Sequence, residues 1–155
     1  MSGAQKAALA AAAGADAVID YRRENVAERV REATPEQGVD RISEVDIAAN
    51  AALDVELLRS DGELVVYGSG TPQFSLTFFP LIAKNVRLQF FIVYHLSDDD
   101  RRRAIGTLTG LLERGALVHN IAERLPLEQI AHAHELVEQG RSIGNVVLRI
   151  PPSGV

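Results

Sequence analysis

The sequence predicts an α/β fold built on a parallel sheet, and it predicts that the sheet is incomplete. Two observations carry this. Candidate strands alternate with candidate helices along nearly the whole chain, the rhythm of right-handed strand–helix crossovers that place helices on both faces of a sheet. The alternation is also entered at a helix. Ser2-Gly3-Ala4-Gln5-Lys6-Ala7-Ala8-Leu9, followed by Gly14-Ala15-Asp16-Ala17-Val18-Ile19-Asp20-Tyr21, reads as the second half of a nucleotide-binding unit, with no strand and no glycine-rich phosphate loop before it.

Taken in order, the elements are as follows. Ser2 to Ala13 is a helix candidate: Ser2 and Gln5 have capping-box spacing, alanine favours helix, and Gly14 stops it. Ala17 to Asp20 is a short strand. Asn25 to Ala33 is helical, with Val26, Val30 and Ala33 on one face, and Thr34-Pro35 ends it. Val39 to Val45 is a strand and Ala51 to Leu58 a helix. Asp61-Gly62 makes a turn before Glu63 to Tyr67, the clearest buried strand. A loop, Gly68-Ser69-Gly70-Thr71-Pro72, lies at that strand's carboxyl end. Phe78 to Lys84 is a short helix and Val86 to Tyr94 a long strand. Ser97 caps an amphipathic helix through Arg114, with Asp98 to Asp100 at its positive end. Pro126 opens a helix that Gly140 closes, and Val146 to Ile150 is the last strand. Alternation is less regular from Ala116, which divides the chain into residues 1–115, a partial dinucleotide-binding domain, and residues 116–155, a C-terminal segment.

Bulk properties narrow the function classes. The 155 residues suffice for one domain with a core, and 46% hydrophobic with 24% charged residues is ordinary for a globular protein. A net charge of -5 argues against a broad nucleic-acid surface. The chain has no cysteine, which excludes disulfides and thiolate metal sites. Apolar runs fall short of the roughly 20 residues that span a bilayer, and the Ala-rich start lacks the pattern of a signal peptide, so a cytoplasmic protein without membrane partners is expected.

In an open α/β sheet, ligands bind beyond the carboxyl ends of the strands. Topology alone therefore nominates Asp20-Tyr21, Val45-Asp46, Gly68-Ser69 and Tyr94-His95. Lys6 lies in the first turn of a helix, where free N–H groups and the dipole suit phosphate, and Tyr21 offers a hydroxyl; the plain alternative is a solvated lysine. Gly68-Ser69-Gly70 is a poor match to the dinucleotide fingerprint, since Gln73 occupies the sixth position and Pro72 intervenes. Its glycines either admit a ligand close to the backbone or simply make a turn. His132 and His134, two apart on a helix, point about 200° from each other and cannot converge on one ion. His95 has no visible partner acid. Asp98-Asp99-Asp100 before Arg101-Arg102-Arg103 reads as helix-start acids with local ion pairs.

The motifs then become specific. S-G-A-Q-K-A-A-L-A-x-x-x-G-A-D-A-V-I-D-Y at Ser2 to Tyr21, G-V-D-R-I-S-E-V-D at Gly38 to Asp46, and L-L-R-S-D-G-E-L-V-V-Y-G-S at Leu57 to Ser69 occur in this order. P-L-E-Q-I-A-H-A-H-E-L-V-E-Q-G-R-S-I-G-N-V-V-L at Pro126 to Leu148 completes the set. Together they resemble the zinc-independent quinone oxidoreductases, the zeta-crystallin-like branch of the medium-chain dehydrogenase/reductase superfamily, over nearly the whole chain.

The resemblance implies an incomplete Rossmann-like doubly wound parallel sheet, lacking its first two strands and its glycine-rich loop. It implies NADPH as cofactor, and hydride transfer to a quinone or similar electron-poor carbonyl compound. Lys6 and Tyr21 match residues that contact the 2′-phosphate of NADPH, and Ser2 and Gly3 fall in the loop preceding that lysine. Gly68 and Ser69 match the loop near the cofactor ribose. Val93 and Tyr94 fall where a strand end meets the nicotinamide, and Asn145 stands in a late segment where many members have lysine. No catalytic residue and no metal ligand is implied. The family's pyrophosphate cradle and most of its substrate pocket have no counterpart among these residues, so weak or absent NADPH binding is expected of them alone. In the family order 3-2-1-4-5-6, the segment Ala17–Asp20 is left two strands away from Val39–Val45. The family also pairs protomers through its last sheet strand, here Val86 to Tyr94, so a homo-oligomer is expected. The alternative is a non-catalytic relative acting as a dimerisation or interaction module.

Overall fold

The computed structural model describes residues 3–34, 37–140 and 142–151. They form two compact units. One runs from Ile19 to Gly110, and the other joins the residues up to Val18 with those from Leu111 onward.

The first unit is a mixed α/β layer around a parallel sheet. Its elements are α2 (Val26–Ala33), β1 (Val39–Glu44), α3 (Ile47–Leu57), β2 (Leu58–Val66), α4 (Phe78–Ala83) and β3 (Arg87–Phe90). The helix α1 (Ala4–Ala12) precedes them in the chain and belongs to the second unit. The sheet order is β1-β2-β3, all parallel. Each helix forms for a local reason. Asn25 caps α2, its side chain accepting from the N–H groups of Ala27 at 3.1 Å and Glu28 at 3.3 Å. Helix α3 ends on the Lys84 ammonium, which donates to the carbonyls of Val55, Glu56 and Leu58 at 2.6–2.8 Å, where the negative end of the helix dipole favours a cation.

The core is where α3 lies on the sheet: Ile47, Ala51, Leu58, Leu64 and Val66, flanked by Val39, Ile42, Leu76 and Val86. The two faces of the sheet differ. Ile42, Leu64 and Leu88 stand in register on one side; Arg41, Glu63 and Arg87 stand in register on the other, with Arg41 paired to Glu63 at 2.6 Å. The expected Asp61-Gly62 turn is an irregularity inside β2. The partner of β1 advances from Leu58 to Glu63 while β1 advances from Val39 to Arg41, and Asp61 takes a φ of 60°.

The second unit contains α1, β4 (Ile121–Pro126), α6 (Ile130–Glu138) and β5 (Asn145–Arg149), with β4 and β5 parallel. Helix α5 (Asp98–Glu113) runs from one unit into the other. Its N-terminus is a reciprocal cap: Ser97 Oγ accepts from the Asp100 N–H at 3.1 Å and meets the Asp100 carboxylate at 2.6 Å.

Three expectations need correction. Ala17–Asp20 is not a strand. Its end is satisfied locally: the Asp20 N–H donates to Glu24 Oε2 at 2.7 Å, and the Asp20 carbonyl accepts from Arg23 and Glu24, so a turn replaces the ladder that an adjacent strand would supply. The long strand Val86–Tyr94 is shorter, because β3 ends at Phe90 and Val93–His95 forms a 3-10 turn. Strand β4 was not expected at all, since Ile121-Ala122-Glu123-Arg124-Leu125-Pro126 lacks the apolar alternation of a strand. The capping role expected of Ser2 lies outside the described residues; α1 is preceded by Gly3, which makes no side-chain cap.

Candidate functional site

The carboxyl ends of β2 and β3 and the start of α3 border an open, shallow cleft of about 540 Å³. Ile47 and Val66 form its floor, the Gly68-Ser69 loop one side, and Phe74, Phe90 and Phe91 another. The aromatic rings are arranged in two tilted pairs, Phe74 with Phe90 and Tyr67 with Phe91, each with centroids 6.0 Å apart. Such a wall suits a planar ring, while the loop supplies backbone polar groups.

The loop is held closely. A Cβ on Gly68 would lie 2.3 Å from the Val45 carbonyl oxygen, so only glycine lets β2 leave the sheet beside β1. The Gly68 carbonyl accepts from the Ile47 N–H at 3.4 Å, and the Gly70 N–H donates to Asp46 Oδ1 at 2.7 Å. Asp46 therefore precedes α3 without capping it by its side chain, because its carboxylate is engaged by the loop instead. The glycines make the turn, and Gly68 also lines the cleft.

Of the residues nominated from sequence, Gly68 and Ser69 line this cleft. Val93 and Tyr94 follow its last lining residue, Ile92, and stand exposed on the 3-10 turn, Tyr94 at 79%. They do not end a strand there, because β3 has already stopped. Tyr21 is 57% exposed, and the Arg22 guanidinium lies 6.0 Å from its ring centroid. Gly3, Lys6 and Asn145 belong to the second unit. Lys6 is exposed on α1. Asn145 opens β5, donating its N–H to the Asn120 carbonyl at 2.8 Å. Gly144 before it has a φ of 117°, and a Cβ there would sit 2.6 Å from the Asn120 oxygen. Ser2 lies outside the described residues.

The aromatic wall was missed in the sequence. Phe74 sits in an irregular loop, and Phe90 and Phe91 resemble any apolar strand residues until the strand's end is known. The signal available was the clustering of aromatics just beyond a glycine loop at a strand's carboxyl end.

A family model for zinc-binding dehydrogenases matches residues 13–148. The chain belongs to this family. The quinone oxidoreductase of Homo sapiens is 27% identical over 137 residues, and that of Pongo abelii 28%; each match covers 87% of this chain and 41% of the relative. The chain thus spans about two-fifths of the length of these curated relatives. Among solved structures, a mycobacterial quinone oxidoreductase superposes with a TM-score of 0.83 at 27% identity, covering 97% of this chain and 47% of the other. A structure of a mycobacterial relative in complex with NADPH gives 0.78 at the same identity and coverage. An alcohol dehydrogenase from Thermus gives 0.83 at 25%, covering 97% of this chain and 42% of that one.

These likenesses place the chain in an oxidoreductase family and show a partial Rossmann-like fold. The family's description implies zinc, but the residues do not fit it: among the described residues no three His, Cys, Asp or Glu side chains group as a metal site, and the chain has no cysteine. The residues do fit one side of a nicotinamide cofactor, through the glycine loop and the aromatic cleft beyond β2 and β3. No helix among the described residues is long and apolar enough to cross a membrane.

Proposed function

We propose that these residues form the cofactor-side portion of an NADPH-dependent quinone oxidoreductase. The observation that carries the reading is the cleft at the carboxyl ends of β2 and β3, glycine on one side and aromatic on another. NADPH held there would supply the hydride for reduction of a quinone or a similar electron-poor carbonyl compound. The chain's own residues orient and shield: Gly68 and Ser69 bring backbone close to the ribose, and the Phe74–Phe90 wall keeps water from the ring. The family resemblance assigns recognition of the 2′-phosphate to Lys6 and, separately, to Tyr21, with Gly3 in the loop before that lysine. Val93 and Tyr94 border the nicotinamide end; Asn145 stands where many members have lysine and cannot make that lysine's charged contact. That the curated relatives are quinone oxidoreductases supports this choice of substrate over an alcohol.

The chain binds NADPH weakly in this reading, because no pyrophosphate cradle stands among the described residues. NADPH should be consumed with 1,4-benzoquinone, slowly because binding is weak, and preferred to NADH by about tenfold, the worth of one charge-assisted phosphate contact. Lys6→Ala should erase that preference. Equal use of both cofactors before the substitution, or turnover of primary alcohols and not quinones, would sink the reading.

A second reading, a dimerisation module, is favoured by the outer edge of the sheet. All four residues of β3 are exposed, as are Phe78, Phe79 and Ile82 on α4, which precedes it in the chain. An open edge with apolar flanks pairs readily with a second copy. Analytical ultracentrifugation should give a dimer mass, and Leu88→Pro should return a monomer; a monomer before substitution counts against pairing.

A further inference from the structure

Two acidic side chains are buried where β1 meets α3. Glu44 is 6% exposed and Asp54 4%. A carboxylate in such a place costs several kcal/mol unless it is paired or hydrogen-bonded. Glu44 is compensated: its Oε1 accepts from the Asp46 backbone N–H and from Asn50 Nδ2 at 3.1 Å. Asp54 Oδ2 has no hydrogen-bond partner among the described residues.

The cations on neighbouring elements are engaged elsewhere. On α2, Arg31 holds Glu56 at 2.6 Å, and Arg29 holds Glu24 and Glu32. Lys84, after α4, is committed to three carbonyls. On β1 and β2, Arg41 pairs with Glu63 and Arg59 with Asp40. Both carboxyl groups are buried and no cation is hydrogen-bonded to either among the described residues, and one proton relieves the conflict: a neutral Asp54 donates to Glu44, whose Oε1 keeps its two donors.

We propose that Glu44 and Asp54 share one proton, and that this pair positions the cofactor loop. The connection is continuous. Glu44 holds the Asp46 N–H, Asp46 Oδ1 holds the Gly70 N–H at 2.7 Å, and the Glu44 carbonyl accepts from the Tyr67 N–H at 3.0 Å. The turn from β1 into α3 and the Gly68–Gly70 side of the cleft are thus set from one buried point. When the proton leaves, the relief open to the pair is for one carboxylate to turn toward water. If that is Glu44, Asp46 and then Gly70 are released.

Burial first, then the Glu44 charge and its hydrogen bond, raise the Asp54 carboxyl from 3.8 to about 7. The folded chain therefore keeps a proton that the unfolded chain loses at lower pH. The stabilisation is complete below the unfolded value and is lost as pH rises through about 7.

The consequence for cofactor binding rests on the reading of the cleft above, but the device can be tested without any ligand. Carboxyl 13C NMR on the full chain should show Asp54 titrating near neutral pH. The amide-exchange protection factor of Gly70 should fall about tenfold or more between about pH 6 and about pH 8. Asp54→Asn offers Glu44 a donor that does not titrate, and should flatten that fall. With NADPH as the probe, the same substitution should remove the weakening of NADPH binding to the chain over this range. Asp54 titrating in the ordinary carboxylate range, or an unchanged fall in Asp54→Asn, would overturn the proposal; the NMR titration decides even where the variant does not fold. If both ligand-free results hold and NADPH does not bind, the positioning pair stands and the cofactor reading falls.

Discussion

The three-stranded sheet β1-β2-β3 and the two-stranded sheet β4-β5 follow the same rule, parallel strands joined through helices, yet they bury very different amounts. The first has a contiguous core centred on Leu64, at 0% exposure, under α3. In the second unit, Ala133 alone is buried among the described residues. Two strands with one covering helix do not remove enough apolar surface from water to stand alone; three strands under helices come closer. The difference teaches where stability and site geometry reside. The cleft, its glycine loop and the buried carboxyl pair all belong to the unit with the core, so the loop is anchored to a rigid base. The second unit keeps Val137, Val147 and Ile150 exposed, a surface suited to burial by other protein.

This comparison can be broken by substitution. Leu64→Ala empties the middle of the core and should cost about 2–5 kcal/mol in urea denaturation; a loss below about 1 kcal/mol would mean that the core is not the source of stability. Lys84→Met removes the ammonium from three carbonyls at the end of α3 and should cost about 1–3 kcal/mol. Asn25→Ala unmakes one helix cap on the rim of the same unit, worth about 1 kcal/mol by thermal or chemical denaturation. Val137→Ala, at a 63% exposed position of α6, should change stability by less than about 0.5 kcal/mol. A cost there as large as that of Leu64→Ala would show that the second unit is buried by an association in solution.

How much was legible follows the same division. Leu64-Val65-Val66 between Gly62 and Gly68 announces a buried strand, and Asn25 before an amphipathic run announces a helix start; both are read from neighbours in sequence. Strand β4 was not legible, because Glu123 and Arg124 interrupt its apolar residues and only pairing with Val146 and Val147 makes it a strand. The segment Ala17–Asp20 shows the converse: its composition is that of a strand, but a strand exists only through a partner, and here Glu24 takes the Asp20 amide. The glycine loop was visible as a candidate. Its aromatic wall was not, because Phe74 and Phe90 lie sixteen positions apart and meet only once the sheet has formed.

The sequence by itself determined the alternation of helices and strands, the turn at Gly68 and the family, since each is written in local patterns of residue type and spacing. The tertiary structure alone decided that Glu44 and Asp54 meet. One ends a strand and the other lies mid-helix, ten positions on, and each looks solvated in isolation. Their burial follows from α3 lying on the sheet, and burial is what makes one proton between them matter.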